Sequence, residues 1–155
     1  MQFADLVFAR LLMGLVLFEF FADQQQWDFH KAKAQYQATA KVPPKYTRGD
    51  MDRGFCTSGL WSYSRHPNFL AEQSCWVVLY QWSCWETNSL YNWTGVGAMS
   101  YLILFQSSTW LTERISAGKY TEYKEYQKRV GKFVPNFSGS WDDYVEKQEK
   151  TKKVN

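Results

Sequence analysis

Residues 59–76 read Gly59-Leu60-Trp61-Ser62-Tyr63-Ser64-Arg65-His66-Pro67-Asn68-Phe69-Leu70-Ala71-Glu72-Gln73-Ser74-Cys75-Trp76, and the fold turns on where a helix begins within them. Pro67 sets that point. Its fixed φ and missing N–H suit the first helical position, and it biases His66 away from the α region. On the resulting helix Asn68 and Glu72 are four residues apart and share a face with Cys75 and Trp76. Arg65 and His66 then precede the helix N-terminus, where backbone N–H groups and the positive dipole end favour anions. One helix start thus offers cations and donors to a phosphate-like group. A turn deeper it offers an amide and a carboxylate to a polar ring or an amine. The plainer alternative is an ordinary loop-to-helix junction with a solvated glutamate. The next turns of the chain argue against it: Ser74–Trp85 is dominated by Trp, Val, Leu, Tyr and Cys, which places Glu72 near or inside a membrane, where an ionisable group is costly and functional.

The 155 residues suffice for one domain. Mean hydropathy is negative, yet the apolar residues gather in three blocks, Phe3–Phe21, Phe69–Trp85 and Trp93–Leu111. Each approaches the roughly 17–20 residues of a spanning helix. Arg10 and Glu19 interrupt the first and Glu72 the second. Three buried helices of a soluble bundle are the alternative. The charge distribution favours spans: of 18 Lys and Arg, seven lie in Ala22–Arg65, ten in Thr112–Asn155, and none in Glu86–Asn92. Under the positive-inside rule both basic segments are cytosolic, and the amino terminus and Glu86–Asn92 are luminal. The expected fold is therefore all-α, an integral membrane helical bundle of about three transmembrane helices with a cytosolic amphipathic helix towards the carboxyl terminus.

A net charge of +3 is too small to argue for nucleic acid; the basic stretches suit lipid head groups or cofactor phosphates instead. Cys56, Cys75 and Cys84 show no C-x-x-C spacing, so neither a disulfide nor a metal site is expected. The first block has no basic start, carries Asp5 there and lacks a small-residue cleavage site, so it reads as a retained helix, not a signal peptide. It continues through the polar stretch Ala22–Ala40, and Val42-Pro43-Pro44 stops it. Lys45–Ser58 reads as a polar loop in which Lys45 and Arg53 are candidates to neutralise phosphates; its Arg48-Gly49-Asp50 triplet, on a cytosolic loop, is coincidence. Asn92-Trp93-Thr94 and Asn136-Phe137-Ser138 fit the glycosylation pattern, the first too close to the membrane and the second on the wrong side of it.

Tyr120, Tyr123, Tyr126 and Val130 recur at helical spacing, with Glu122, Lys124, Glu125, Lys128 and Arg129 opposite, which predicts an amphipathic helix stopped near Gly131 and Pro135. Such a stripe packs against a neighbour or a membrane surface; its phenols can also donate to a phosphate or a carbonyl. The chain divides into a membrane-embedded domain, 1–137, and a polar tail, 138–155, expected to be mobile but tethered through Trp141 and Tyr144. Its final Lys152-Lys153-Val154-Asn155 resembles the dilysine retrieval signal of endoplasmic reticulum membrane proteins, which agrees with a cytosolic carboxyl terminus in that membrane.

Gly59-Leu60-Trp61, then Ser64-Arg65-His66-Pro67-Asn68-Phe69 with Glu72 and Trp76, then Glu113, Lys119-Tyr120, Tyr123, Tyr126 and Arg129-Val130 running to Phe133-Val134-Pro135 together resemble the carboxyl-terminal half of the steroid 5-alpha-reductase superfamily, in particular its fungal membrane proteins of unknown function. The resemblance covers roughly residues 15–137. It implies a membrane-embedded oxidoreductase that reduces a conjugated carbon–carbon double bond of a lipid or sterol with NADPH. It also implies that the cofactor is held by Arg65, His66, Asn68 and Glu72, together with Glu113, Tyr123 and Tyr126. In the family, the Glu and Tyr that grip the substrate carbonyl lie on helices upstream of the region matched here. The alternative is thus a truncated or inactive homologue acting as a small membrane subunit, or one completed by a membrane protein partner. The same superfamily includes isoprenylcysteine carboxyl methyltransferases, which bind S-adenosylmethionine through a similar Arg-His-Pro motif. The Asn68-Phe69 pair leans to the reductases.

Overall fold

The computed structural model of the chain describes residues 2–137 and 139–154. Met1, Ser138 and Asn155 lie outside them, and with these the last residue of the Asn136-Phe137-Ser138 pattern and of Lys152-Lys153-Val154-Asn155. The helices in order are α1 (Phe3–Thr39), α2 (Arg48–Arg53), α3 (Pro67–Glu86), α4 (Gly95–Lys119), α5 (Tyr123–Arg129) and α6 (Trp141–Val154), with a 3₁₀ turn at Gly59–Ser62. Among the described residues there is no strand, only one bridge between Ser64 and Gly131, so the fold is all-α as expected.

α1 runs through the first apolar block and the polar stretch without a break. It ends where Ala40 turns to φ 55 and its N–H bonds the Tyr36 carbonyl at 2.8 Å, a left-handed cap ahead of the two prolines. α3 starts at Pro67, where the proline places it. The loop expected over Lys45–Ser58 contains α2 instead. Thr47 and Asp50 form a reciprocal capping box, and Gly54 closes the helix at φ 82. Asp50 of the Arg-Gly-Asp triplet is thereby committed to the helix start. The tyrosine stripe gives only seven helical residues, because α4 runs on to Lys119 and the chain turns before Tyr123.

The polar tail is largely helical, and Trp141 is 2% exposed at its start. The helix was not expected from composition, but the tether through Trp141 was: its indole is sunk against Tyr126 and Tyr144 and anchors the segment.

Among the described residues no helix is long and apolar enough to cross a membrane. Asp5, Arg10 and Glu19 in α1 and Glu72 and Gln73 in α3 dilute the apolar runs, so hydropathy does not establish the three expected spans.

Helix contacts form two compact units. The first comprises Met1–Phe21 and Asn68–Arg114. Within it the Phe8 and Trp82 rings stack at 5.7 Å, and the Trp82 indole N–H donates to Asp5 at 3.2 Å. Phe69 meets Phe105 edge-on at 4.8 Å, and Gln106 donates to Gln73 at 3.3 Å. The second unit comprises Ala22–Pro67 and Ile115–Asn155. It has two apolar clusters, Phe29, Ala32, Met51, Cys56 and Trp61 in one, Phe55, Tyr123, Tyr126, Val130 and Trp141 in the other. The Trp61 indole N–H donates to the Ala22 carbonyl at 3.0 Å. The Arg53 guanidinium, buried to 6% exposure, bonds Asp50 at 2.8 Å and Glu122 at 2.9 Å and lies 5.5 Å from the Trp141 ring centre.

Candidate functional site

The seven residues expected to hold a cofactor divide between the units. Arg65, His66, Tyr123 and Tyr126 belong to the second, and Asn68, Glu72 and Glu113 to the first.

In the second unit the Arg65-His66 segment is extended, as the following proline requires, and pairs with residues 131–133. The Arg65 N–H donates to the Gly131 carbonyl at 2.9 Å and the His66 N–H to the Lys132 carbonyl at 3.1 Å. The Ser64 hydroxyl donates to the Phe133 carbonyl at 2.7 Å. The Arg65 guanidinium is half-buried and reaches the Gln127 carbonyl at 3.4 Å. His66 is buried, its ring 6.2 Å from that of Phe133. The resemblance singled out both halves of this pairing, but nothing local in the chain indicated that they touch.

Tyr123 and Tyr126 are buried in the aromatic cluster, and the Tyr126 hydroxyl donates to the Trp61 carbonyl. Their surroundings are those of core residues. Tyr126→Phe is expected to cost about 1–2 kcal/mol, because the Trp61 carbonyl loses its donor in a buried place. A urea midpoint unchanged from wild type would show that the bond carries nothing.

In the first unit Glu72, half-buried on α3, accepts from two groups at the same oxygen. The Tyr101 hydroxyl of α4 lies at 2.9 Å from Oε1 and the Trp76 indole N–H at 3.0 Å. Trp76 and Tyr101 pack at 4.8 Å, and Tyr101 and Phe105 at 5.0 Å. The carboxylate is thus a fixed acceptor in an aromatic wall. Tyr101, which sequence reading missed, sits 29 residues from Glu72 in an apolar block. Its single hydroxyl there was the only available signal. Asn68 is half-buried and Glu113 on α4 is 9% exposed.

Lys45 and Arg53, candidates for phosphate neutralisation, are engaged with Asp28 and with Asp50 and Glu122. Burial pushes the Cys56 thiol up to about 11, so it is an unreactive core thiol at neutral pH. A cavity of about 770 Å³ in the first unit is lined by Tyr80, Cys84, Trp85 and Glu86, and one of about 380 Å³ in the second by Arg53, Glu122, Trp141 and Tyr144. None of the seven expected residues lines either.

A family described as "Protein of unknown function (DUF1295)" matches residues 1–130. An uncharacterized protein of Schizosaccharomyces pombe is 43% identical over 141 residues, 89% of this chain and 41% of that protein. The chain therefore spans about two fifths of the length of the curated relative it matches. No solved structure matches it.

Proposed function

This chain belongs to the DUF1295 family of proteins of unknown function, and we propose that it works as a membrane-embedded oxidoreductase that reduces a conjugated carbon–carbon double bond of a lipid or sterol with NADPH. The observation that carries this reading is the Glu72 carboxylate, held by Tyr101 and Trp76 in an apolar aromatic wall one turn into a helix that Arg65 and His66 precede.

Membrane embedding is supported by what the first unit turns outward. Leu11, Met13, Val16, Ile103, Leu104 and Leu111 are each at least half exposed, whereas Gln73, Thr109 and Glu113 are buried. Soluble bundles do the reverse. The stretches of α1, α3 and α4 in this unit are each roughly 19–20 residues, about 30 Å at 1.5 Å per residue, which matches a hydrocarbon core. The proposed setting is the endoplasmic reticulum membrane, with the carboxyl terminus cytosolic.

Taken unit by unit, the residue types that the resemblance assigns to the cofactor suit parts of a nicotinamide nucleotide. The Arg65 guanidinium presents a planar fork suited to a phosphate. Asn68 and Glu72 supply an amide and an acceptor suited to a carboxamide, while Tyr101 and Trp76 keep the carboxylate from turning away. When bound, the nucleotide supplies the hydride.

A second reading is a non-catalytic membrane subunit, completed by a further membrane protein. It is favoured by the packing of Tyr123 and Tyr126 in the core and by the two bonds that Glu72 Oε1 already accepts. Thermal shift of the full chain in detergent separates the readings. NADPH near 100 times its Kd is expected to stabilise by about 2.7 kcal/mol. Arg65→Ala is expected to weaken its binding by roughly 10- to 100-fold, the worth of a charge-assisted bond. A shift with S-adenosylmethionine alone would indicate a methyltransferase, and no shift with either nucleotide the subunit. Release of the chain from membranes by alkaline carbonate would overturn the embedding.

A further inference from the structure

We propose that the loop 132–137, with Tyr63 beside it, is a membrane-surface anchor that inserts Val134 and Phe137 into the interface of an anionic bilayer. The proposal rests on the second unit alone and holds whether or not a nucleotide binds.

The loop is rigid. Its near side is pinned by the bonds from Ser64, Arg65 and His66 to the carbonyls of residues 131–133, and its far side by the Asn136 N–H to the Tyr63 carbonyl at 2.9 Å and the Asn136 amide to the Arg129 carbonyl at 3.1 Å. What it displays is therefore a consequence of its build. Val134 is 74% exposed and Phe137 82% exposed, and the Phe137 ring leans on that of Tyr63, itself 40% exposed, at 6.0 Å. Folding gains nothing from holding two bulky apolar side chains in water on a pinned turn. A bilayer interface rewards it, since the apolar tips reach the acyl boundary and a tyrosine sits well at head-group level.

Charge selects the kind of surface. The second unit carries sixteen Lys and Arg against ten Asp and Glu, and Lys128, Arg129 and Lys132 fall at the foot of this loop, the first two sharing Glu125 at 3.3 and 2.7 Å, so the cluster keeps an excess of positive charge. Basic residues beside a small apolar tip are the combination that binds anionic lipid. A stable protein interface buries on the order of 1,000 Å² or more, beyond what two or three side chains supply. The bilayer is therefore the favoured occupant.

The test uses the full chain with one environment-sensitive fluorophore on a new cysteine, Phe137→Cys or Lys124→Cys, the latter an exposed control on α5. The three native cysteines are buried. In vesicles of phosphatidylcholine with phosphatidylserine, the label at 137 should brighten several-fold, shift to the blue and be quenched by lipids brominated on their chains, while the label at 124 should not. Phosphatidylcholine alone, or Lys128→Glu with Lys132→Glu, should reduce the response at 137. Identical spectra at the two positions would overturn the proposal. So would a label at 137 that is shielded only when a protein partner is added. Because the readout is local to the loop, it is independent of whether NADPH shifts the melting temperature.

Discussion

Trp141→Ala is expected to destabilise the full chain by about 3–5 kcal/mol, the usual cost of truncating a buried aromatic to alanine. Trp141 meets Tyr126 edge-on at 5.3 Å and Tyr144 at 5.1 Å, and the Arg53 guanidinium lies against it. Removing the indole opens a cavity and withdraws the ring that lies against the Arg53 guanidinium, which pairs with Asp50 and Glu122. The helix it begins, α6, should then detach, so urea midpoint and protease sensitivity after residue 140 should move together. Trp141→Phe keeps a ring in place and should cost less than half as much. A loss below about 1 kcal/mol for the alanine variant, far under the usual cost of such a truncation, would mean that α6 is not held by this residue.

Gly131→Ala is the second large effect. A Cβ at this position would stand 2.2 Å from the Val134 carbonyl oxygen, a backbone atom that cannot swing aside. The turn must open, and the bonds from the Arg65 and His66 N–H groups to residues 131 and 132 go with it. Overpacking of this kind costs typically about 1–3 kcal/mol, and a backbone clash belongs at the upper end. On the proposed reading the same change loosens Arg65, so NADPH binding should weaken with the nucleotide contacts themselves untouched. Wild-type melting temperature and wild-type nucleotide shift together would show that the turn tolerates the methyl group and that the pairing does not position Arg65.

The parts of the fold that were legible are those governed within a few residues. Pro67 starts α3 because its ring fixes its own φ and constrains His66, whatever lies elsewhere. α1 continues into its polar half because nothing from Phe3 to Thr39 breaks a helix. α2 was missed although its signal, Thr47 and Asp50 at capping-box spacing, is equally local; turn residues around it outweighed a pattern only four residues long. α6 was misread for the opposite reason. Its composition is mostly polar, and Trp141, marked in the sequence as a tether, holds it by packing on Tyr126 of α5 and beneath Arg53 of α2, contacts outside its own helix.

The candidate site divides in the same way. Residue types and spacing marked Arg65, His66, Asn68 and Glu72, since a cation before a helix start and a carboxylate one turn inside it are properties of the stretch alone. The Trp76 bond to Glu72 is an i,i+4 contact that helical spacing allows, but that Tyr101 reaches the same oxygen, and that Tyr126 donates to the Trp61 carbonyl, follow from segments meeting across 29 and 65 residues of chain, which no periodicity encodes. Local dihedral limits and hydrophobic spacing thus specified an all-helical chain and its polar helix start. Which side chains face one another, and so which polar groups remain available to a ligand, was settled by packing, because contact between distant segments depends on the shape of the whole and not on the order of residues along any one helix.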